Sequence, residues 1–359
     1  MIAGASTRPP ASTADLLPPA LSARLDALDV LSRRVFAGKL QGERRSKRRG
    51  RSIEFEEHRE YVPGDDLRHI DWNVYARLDR FFIKLFQEEE DLGLEIVLDA
   101  SASMHAGSPS KLLFAARLAA ALGYTGLVRN NRVSLTIIGL PGAGAGAIRR
   151  LNPLRGRRSV QRFVSFLLEH AFAAGTSAPN ADPELGPRGS ASSSPGAAFT
   201  TGCRRVVAAR QGKGIVVLLS DLLIPPPESY QPGLRLLAAP SATGTAYDVH
   251  CLQILSPGEL DPAREGRADP GTATDEAAPD RSPRLVMGDL ALTDVETGRV
   301  SEVTVTPDVL DAYRRAAQRF VSEASAFCRA RSASHLILSS DADVATVMLE
   351  SLRRGGLLT

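Results

Sequence analysis

From residue 92 onward, short runs of strand-forming residues alternate with stretches of helical periodicity, and this alternation constrains the fold more than any other feature of the chain. Residues 92–98, Leu-Gly-Leu-Glu-Ile-Val-Leu, form an apolar run ending at Asp99, as expected of a buried central strand. Ser110 then caps a helix in which Leu112, Ala115, Ala116, Ala119 and Leu122 share one face, with small residues that let it lie close on a sheet. Strands at Arg132–Ile138, Gly214–Ser220 and 247–255, and a helix at 156–171, continue the pattern. Strands joined by helical crossovers imply an α/β fold: a mainly parallel sheet flanked by helices on both faces, with an N-terminal subdomain ahead of it. Residues 175–198 and 256–283 are dominated by Pro, Gly, Ser, Ala and charge, and are expected to be flexible insertions. A hairpin over 284–305 turning near Thr297-Gly298, a helix from Pro307 to about Arg331, a strand at 335–338 and a last helix from Asp341 complete the chain.

Ahead of the alternating region, residues 1–19 are rich in Ala, Ser, Thr and Pro and read as a disordered tail. Leu21, Leu25, Leu28, Leu31 and Val35 then recur at helical spacing up to Gly38. The basic run Arg44, Arg45, Lys47, Arg48, Arg49 and Arg51 is followed at once by Glu54, Glu56, Glu57, Glu60, Asp65 and Asp66. The division expected is a tail over 1–19, a subdomain over 20–90 and an α/β domain over 91–359.

With 44 basic and 41 acidic side chains the formal charge is +3, too small for the whole chain to act as a polycation toward nucleic acid or anionic lipid. Three widely spaced cysteines without a C-x-x-C pair argue against a disulfide framework or structural zinc, and fit a reducing cytoplasm. The opening residues lack the apolar segment of a secretory signal. No apolar run reaches the roughly 20 residues that span a bilayer, so no transmembrane segment is expected.

The sharpest chemical motif is Asp99-Ala100-Ser101-Ala102-Ser103, directly after the first buried strand. In an open parallel sheet, ligands collect at the carboxyl ends of strands. A carboxylate and two hydroxyls on one tight loop present hard oxygens suited to Mg²⁺, and Asp221, ending a neighbouring strand, could support the ion through water. The same residue types also serve as plain capped turns, bonding nearby backbone N–H groups. The Asp-x-Ser-x-Ser motif with a later aspartate resembles the von Willebrand factor type A domain and its metal-ion-dependent adhesion site. That resemblance implies Asp99, Ser101 and Ser103 as metal ligands and Asp221 as an outer acid, with a carboxylate of a protein partner completing the coordination. The family also supplies a threonine from the loop before its third core helix. The corresponding region here is taken as residues 154–159, Leu-Arg-Gly-Arg-Arg-Ser, which offers Ser159 and three arginines.

Upstream, residues 60–73 read Glu-Tyr-Val-Pro-Gly-Asp-Asp-Leu-Arg-His-Ile-Asp-Trp-Asn, followed by Ala76-Arg77 and by Phe86-Gln87-Glu88-Glu89-Glu90. This resembles the bacterial family called domain of unknown function 58, with a likeness extending from about residue 30 to the C-terminus. Members pair a Pro-Gly-Asp-Asp-x-Arg-x-Ile-Asp-Trp signature with a type A-like domain. The resemblance implies work alongside a MoxR-type AAA+ ATPase, as an adaptor or chaperone-like partner in the maturation of client proteins. Many relatives carry transmembrane helices ahead of the signature. Within it, Gly64, Asp65, Asp66, Arg68, Asp71 and Trp72 form a charged cluster suited to fixing a loop through carboxylate–guanidinium pairs or to touching a partner, with Trp72 expected to be packed.

Other classes fail on context. The basic run lacks interleaved aromatics, and the acidic residues beside it are its natural partners, which argues against nucleic acid. Residues 142–146, Gly-Ala-Gly-Ala-Gly, are not followed by a helix and read as a hairpin tip. No P-loop, H-E-x-x-H or G-x-S-x-G motif occurs, and no nucleotide is expected. An aspartyl-phosphate enzyme built on Asp99 would normally place a second acid where Ser101 stands. The expectation is therefore a non-enzymatic interaction protein, with Mg²⁺-dependent phosphoryl transfer or hydrolysis, and nucleic-acid binding through the basic run, as the alternatives.

Overall fold

The structure is a computed structural model that describes residues 10, 12–30, 54–62, 67, 70–87, 92–140, 148–172, 194–224, 229–240, 247–261, 288–294 and 300–358. The chain divides into two compact units, residues 38–91 and a larger unit made of 1–37 with 92–359.

Two short helices, α1 (Thr13–Leu16) and α2 (Pro19–Leu25), belong to the larger unit. Leu16, Leu25, Leu28 and Val30 are buried in its core, and Val30 forms a bridge with Leu358. The tail expected over 1–19 is therefore helical and anchored from Thr13, and the segment after residue 20 does not group with the signature-bearing unit. Burial of three leucines and a valine outweighs the disorder-prone composition around them.

In the smaller unit β1 (Glu54–Glu60) pairs antiparallel with β2 (Phe82–Gln87), and α3 (Trp72–Leu78) lies between them in the chain. Asp71 starts α3: its Oδ1 accepts from the N–H of Asn73 at 2.9 Å and of Val74 at 3.2 Å, a standard N-cap.

The larger unit is built on six strands in the order β10-β7-β6-β3-β4-β5: β3 (Gly93–Asp99), β4 (Arg132–Ile138), β5 (Arg149–Leu154), β6 (Gly214–Ser220), β7 (Asp248–Leu255) and β10 (Ser334–Ser339). Every pairing is parallel except β4 with β5 at one edge. β3, β6 and β7 are buried along their whole length, and β6 reads as a continuous apolar run. A separate antiparallel pair joins β8 (Gly288–Thr293) to β9 (Val300–Val305), as the expected hairpin requires; its turn lies outside the described residues.

One face of the sheet is covered by α4 (Ala102–His105), α5 (Lys111–Val128), α6 (Val160–Ala171) and the C-terminal segment that includes Met348 and Leu352. A Cβ on Gly126 would stand 2.7 Å from Val133 Cγ2, so the helix lies as close as its small residues permit. By length and composition α5 could also cross a membrane, but here it is the buried core helix. The other face carries α7 (Pro195–Ala208), α8 (Gln231–Ala238) and α10 (Pro307–Arg329), with the buried free thiols Cys203, Cys251 and Cys328 among its apolar contacts.

Both expected insertions need correction where they are described. The first gives way to α7 at Pro195, and the second opens with α9 (Pro257–Leu260), closed by a capping box between Ser256 and Glu259. The residues between, 175–193 and 262–283, lie outside the described set.

Candidate functional site at the carboxyl edge of the sheet

β3 ends at Asp99 and β6 at Ser220, so their following loops emerge side by side at the carboxyl edge. Asp99 is buried, with 5 % exposure. Its Oδ1 accepts from the backbone N–H of Ser101 at 3.0 Å, and its Oδ2 accepts from the Ser220 hydroxyl at 2.6 Å. Burial, reinforced by the charge of Asp221, raises the Asp99 carboxyl to about 6, against the opposing pull of those hydrogen bonds. Gly139 closes over the loop with φ +73; a Cβ there would stand 2.7 Å from Asp99 Oδ1 and 2.9 Å from the Ser101 nitrogen.

Ser101 and Ser103 are half-buried, and their hydroxyl oxygens lie 3.1 Å apart. That spacing bears on the metal reading. Two cis ligands at about 2.1 Å from an octahedral Mg²⁺ stand about 3.0 Å from each other. The hydroxyl pair therefore fits two neighbouring positions of such an ion. Among the described residues no three His, Cys, Asp or Glu side chains gather as a metal cage, so carboxylates alone do not build the site.

Asp221 has a different role from the water-linked acid expected. It is 1 % exposed, and its Oδ2 accepts from Lys111 Nζ at 2.8 Å, while Oδ1 accepts from the Leu223 N–H at 3.0 Å. Lys111 is wholly buried at the start of α5 and also donates to Glu259 of α9. The acid is thus held by an ammonium and not left for a cation. With Asp99 ionised, the three carboxylates Asp99, Asp221 and Glu259 stand against the one ammonium of Lys111, and this cluster keeps a negative excess.

The loop at 154–159 is excluded as the source of a further ligand. Leu154 pairs with Val133 at the start of β4, whereas Asp99 pairs with Ile138 at its end. At about 3.3 Å per residue, the two positions are roughly 17 Å apart, at opposite edges of the sheet. Ser159 instead donates its hydroxyl to the Arg155 carbonyl at 2.7 Å, and Arg157 pairs with Asp26 at 3.1 Å.

Of the signature residues, Gly64, Asp65, Asp66 and Arg68 lie outside the described residues, as do Arg44, Arg45, Lys47, Arg48, Arg49 and Arg51. Asp71 is the buried helix cap. Trp72, expected to be packed, is 62 % exposed, because it begins a short helix whose first turn faces solvent. Its ring meets Tyr75 and Phe81 edge-on, at 6.1 and 6.4 Å between centroids.

Sequence reasoning missed Lys111 and Glu259 as site residues. Lys111 carries a usable signal, being a cation at the head of a helix whose only other charged residue is Arg117.

The architecture defines an α/β protein with a mainly parallel six-stranded sheet and a polar loop cluster at its carboxyl edge. Residues 57–267 match the family described as protein of unknown function DUF58, and the chain belongs to that family. It is 27 % identical to uncharacterized proteins of Mycobacterium tuberculosis and Mycobacterium bovis, over 96 % of this chain and 93 % of theirs. Among solved structures, the pilus adhesin SpaC of Lactobacillus rhamnosus GG aligns with 47 % of this chain and 25 % of its own, at 14 % identity and a TM-score of 0.28.

Proposed function

We propose that this protein is a non-enzymatic interaction adaptor, with a von Willebrand factor type A-like domain whose carboxyl edge docks a protein partner. The observation that carries the reading is the Ser101–Ser103 hydroxyl pair at 3.1 Å, half-open to solvent above a buried Asp99. The sheet order, with a single antiparallel edge strand, supports the type A-like assignment. Asp99, Ser101 and Ser103 would hold Mg²⁺, which would supply a Lewis-acidic bridge to a partner carboxylate.

The partner in this reading is a MoxR-type AAA+ ATPase or a client protein and the setting is chaperone-like maturation, both taken from the family resemblance, while the cytoplasmic setting is taken from the cysteine usage. Biolayer interferometry between the purified chain and a purified MoxR-type ATPase from the same organism tests it. Wild type binds in Mg²⁺, and binding falls at least tenfold with chelator or with Ser101→Ala/Ser103→Ala. Equal binding by wild type and the double variant, with and without Mg²⁺, rejects the proposal.

A further inference from the structure

We propose that the opposite, amino edge of the sheet carries a binding site for a small oxyanion of the phosphate class. A cavity of about 200 Å³ opens there, with Gly93, Glu95, Arg132, Arg150, Arg210 and Tyr247 in its wall. Gly93 pairs with Arg132 and Gly214 at the first positions of β3, β4 and β6, so the cavity lies at the far end of the sheet from Asp99.

Three arginines and one glutamate line this space, but their charges do not cancel. Glu95 is 4 % exposed and fully engaged: Arg150 holds it with two parallel bonds, at 2.7 Å to Oε1 and 2.8 Å to Oε2. Thr136 donates to the same carboxylate at 2.8 Å, and Ser134 donates to its other oxygen. Arg150 thus takes up both oxygens of Glu95, whose charge also reaches Arg210.

Arg132 and Arg210 have no carboxylate partner among the described residues. Arg132 donates to the Gln211 carbonyl, and Arg210 Nη2 donates to the Leu237 carbonyl at 2.8 Å. Arg210 Nε and Nη1 are buried with no hydrogen-bond partner, and its guanidinium carbon lies 4.8 Å from the centre of the Tyr247 ring. Tyr247 is itself fixed, donating its hydroxyl to the Gln211 carbonyl at 2.9 Å.

A guanidinium carries five donors and no acceptor and stays charged, so Arg132 and Arg210 together favour an anion in the cavity they line. Water in the cavity would leave these guanidiniums without a carboxylate among the described residues, in a partly desolvated site. An oxyanion supplies that counter-charge, and its oxygens match the fork of arginine. The volume corresponds to roughly seven waters at about 30 Å³ each, enough for phosphate with a compact organic group.

Equilibrium dialysis tests the site with inorganic phosphate and, separately, glycerol 3-phosphate, at ionic strength held constant with chloride. Wild type is expected to bind saturably. Tighter binding of the ester assigns a phosphomonoester ligand, and tighter binding of inorganic phosphate assigns the free ion. Arg210→Gln and Arg132→Gln, checked for native circular dichroism, weaken binding at least tenfold, whereas Arg157→Gln leaves it unchanged. Absence of saturable wild-type binding up to about 10 mM, the regime of only a few kcal/mol, overturns the site whether or not the variants fold. Binding that survives in both folded cavity variants overturns it equally.

Discussion

Replacing Lys111 with methionine isolates the fully buried cation beside the candidate site. At 2.8 Å and an effective dielectric of about 20, the attraction between Lys111 and Asp221 is about 6 kcal/mol. Desolvating the ammonium and the carboxylate offsets much of this, so the intact pair contributes little net stability. Removing only the cation is different, because Asp221 stays 2 % exposed at its side chain, with the Leu223 N–H left to meet its charge. The expected loss is about 3–5 kcal/mol. Glu259, at 25 % side-chain exposure, relaxes toward water and adds less. Lys111→Met/Asp221→Asn removes the stranded charge and should recover most of the loss. Urea unfolding followed by far-ultraviolet circular dichroism measures this, since the sole tryptophan, Trp72, lies in the 38–91 unit and reports on that unit instead. A Lys111→Met loss below about 1 kcal/mol, or a double variant no more stable than the single one, refutes the reasoning.

The Asp99 carboxyl titrates near 6 in the folded chain against 3.8 as its ordinary value, so the folded state holds the extra proton between those limits. In metal-free buffer, stability therefore falls as pH rises from about 4 to 6, by about 3 kcal/mol, and Asp99→Asn flattens that limb in urea titrations; an unchanged slope contradicts the burial argument. Gly139→Ala forces a Cβ against Asp99 Oδ1 at φ +73 and is expected to cost about 1–3 kcal/mol in the same unfolding assay. Gly212→Ala, at a similar φ of +68 but with open surroundings, is the control, and equal losses at the two glycines would place the cost in the backbone and not in the contact with Asp99. Trp72→Ala changes stability by no more than about 1 kcal/mol, and native Trp72 fluorescence is quenched readily by acrylamide; a shielded emission contradicts its exposure.

The parallel strands are legible in the sequence: Gly214–Ser220 as the uninterrupted apolar run that burial on both faces favours, and Arg132–Ile138 as a strand-forming run interrupted only by Ser134 and Thr136. β5 is not: Arg149, Arg150, Asn152 and Pro153 suit an edge strand, where a proline breaks no essential ladder and polar side chains meet solvent. That one strand has a large consequence. An antiparallel return reverses the chain, so residues 155–159 fall at the amino edge and not beside Asp99. α7 and α8 hide behind glycine, threonine and proline, which weaken the helical signal without preventing a helix packed on the sheet. At the site, the Asp-x-Ser-x-Ser spacing is enough to put Asp99, Ser101 and Ser103 together at the end of β3. The partner of Asp221 is not readable, since Lys111 lies 110 residues away and only the fold brings the two together.

Hydrogen–deuterium exchange of the chain with and without a bound MoxR-type ATPase tests the docking account most directly. The account predicts new protection in the loop after β3, residues 100–106, and in its neighbours at 139–140 and 220–224. Complex formation that leaves those amides unchanged, with protection gathered elsewhere, contradicts it.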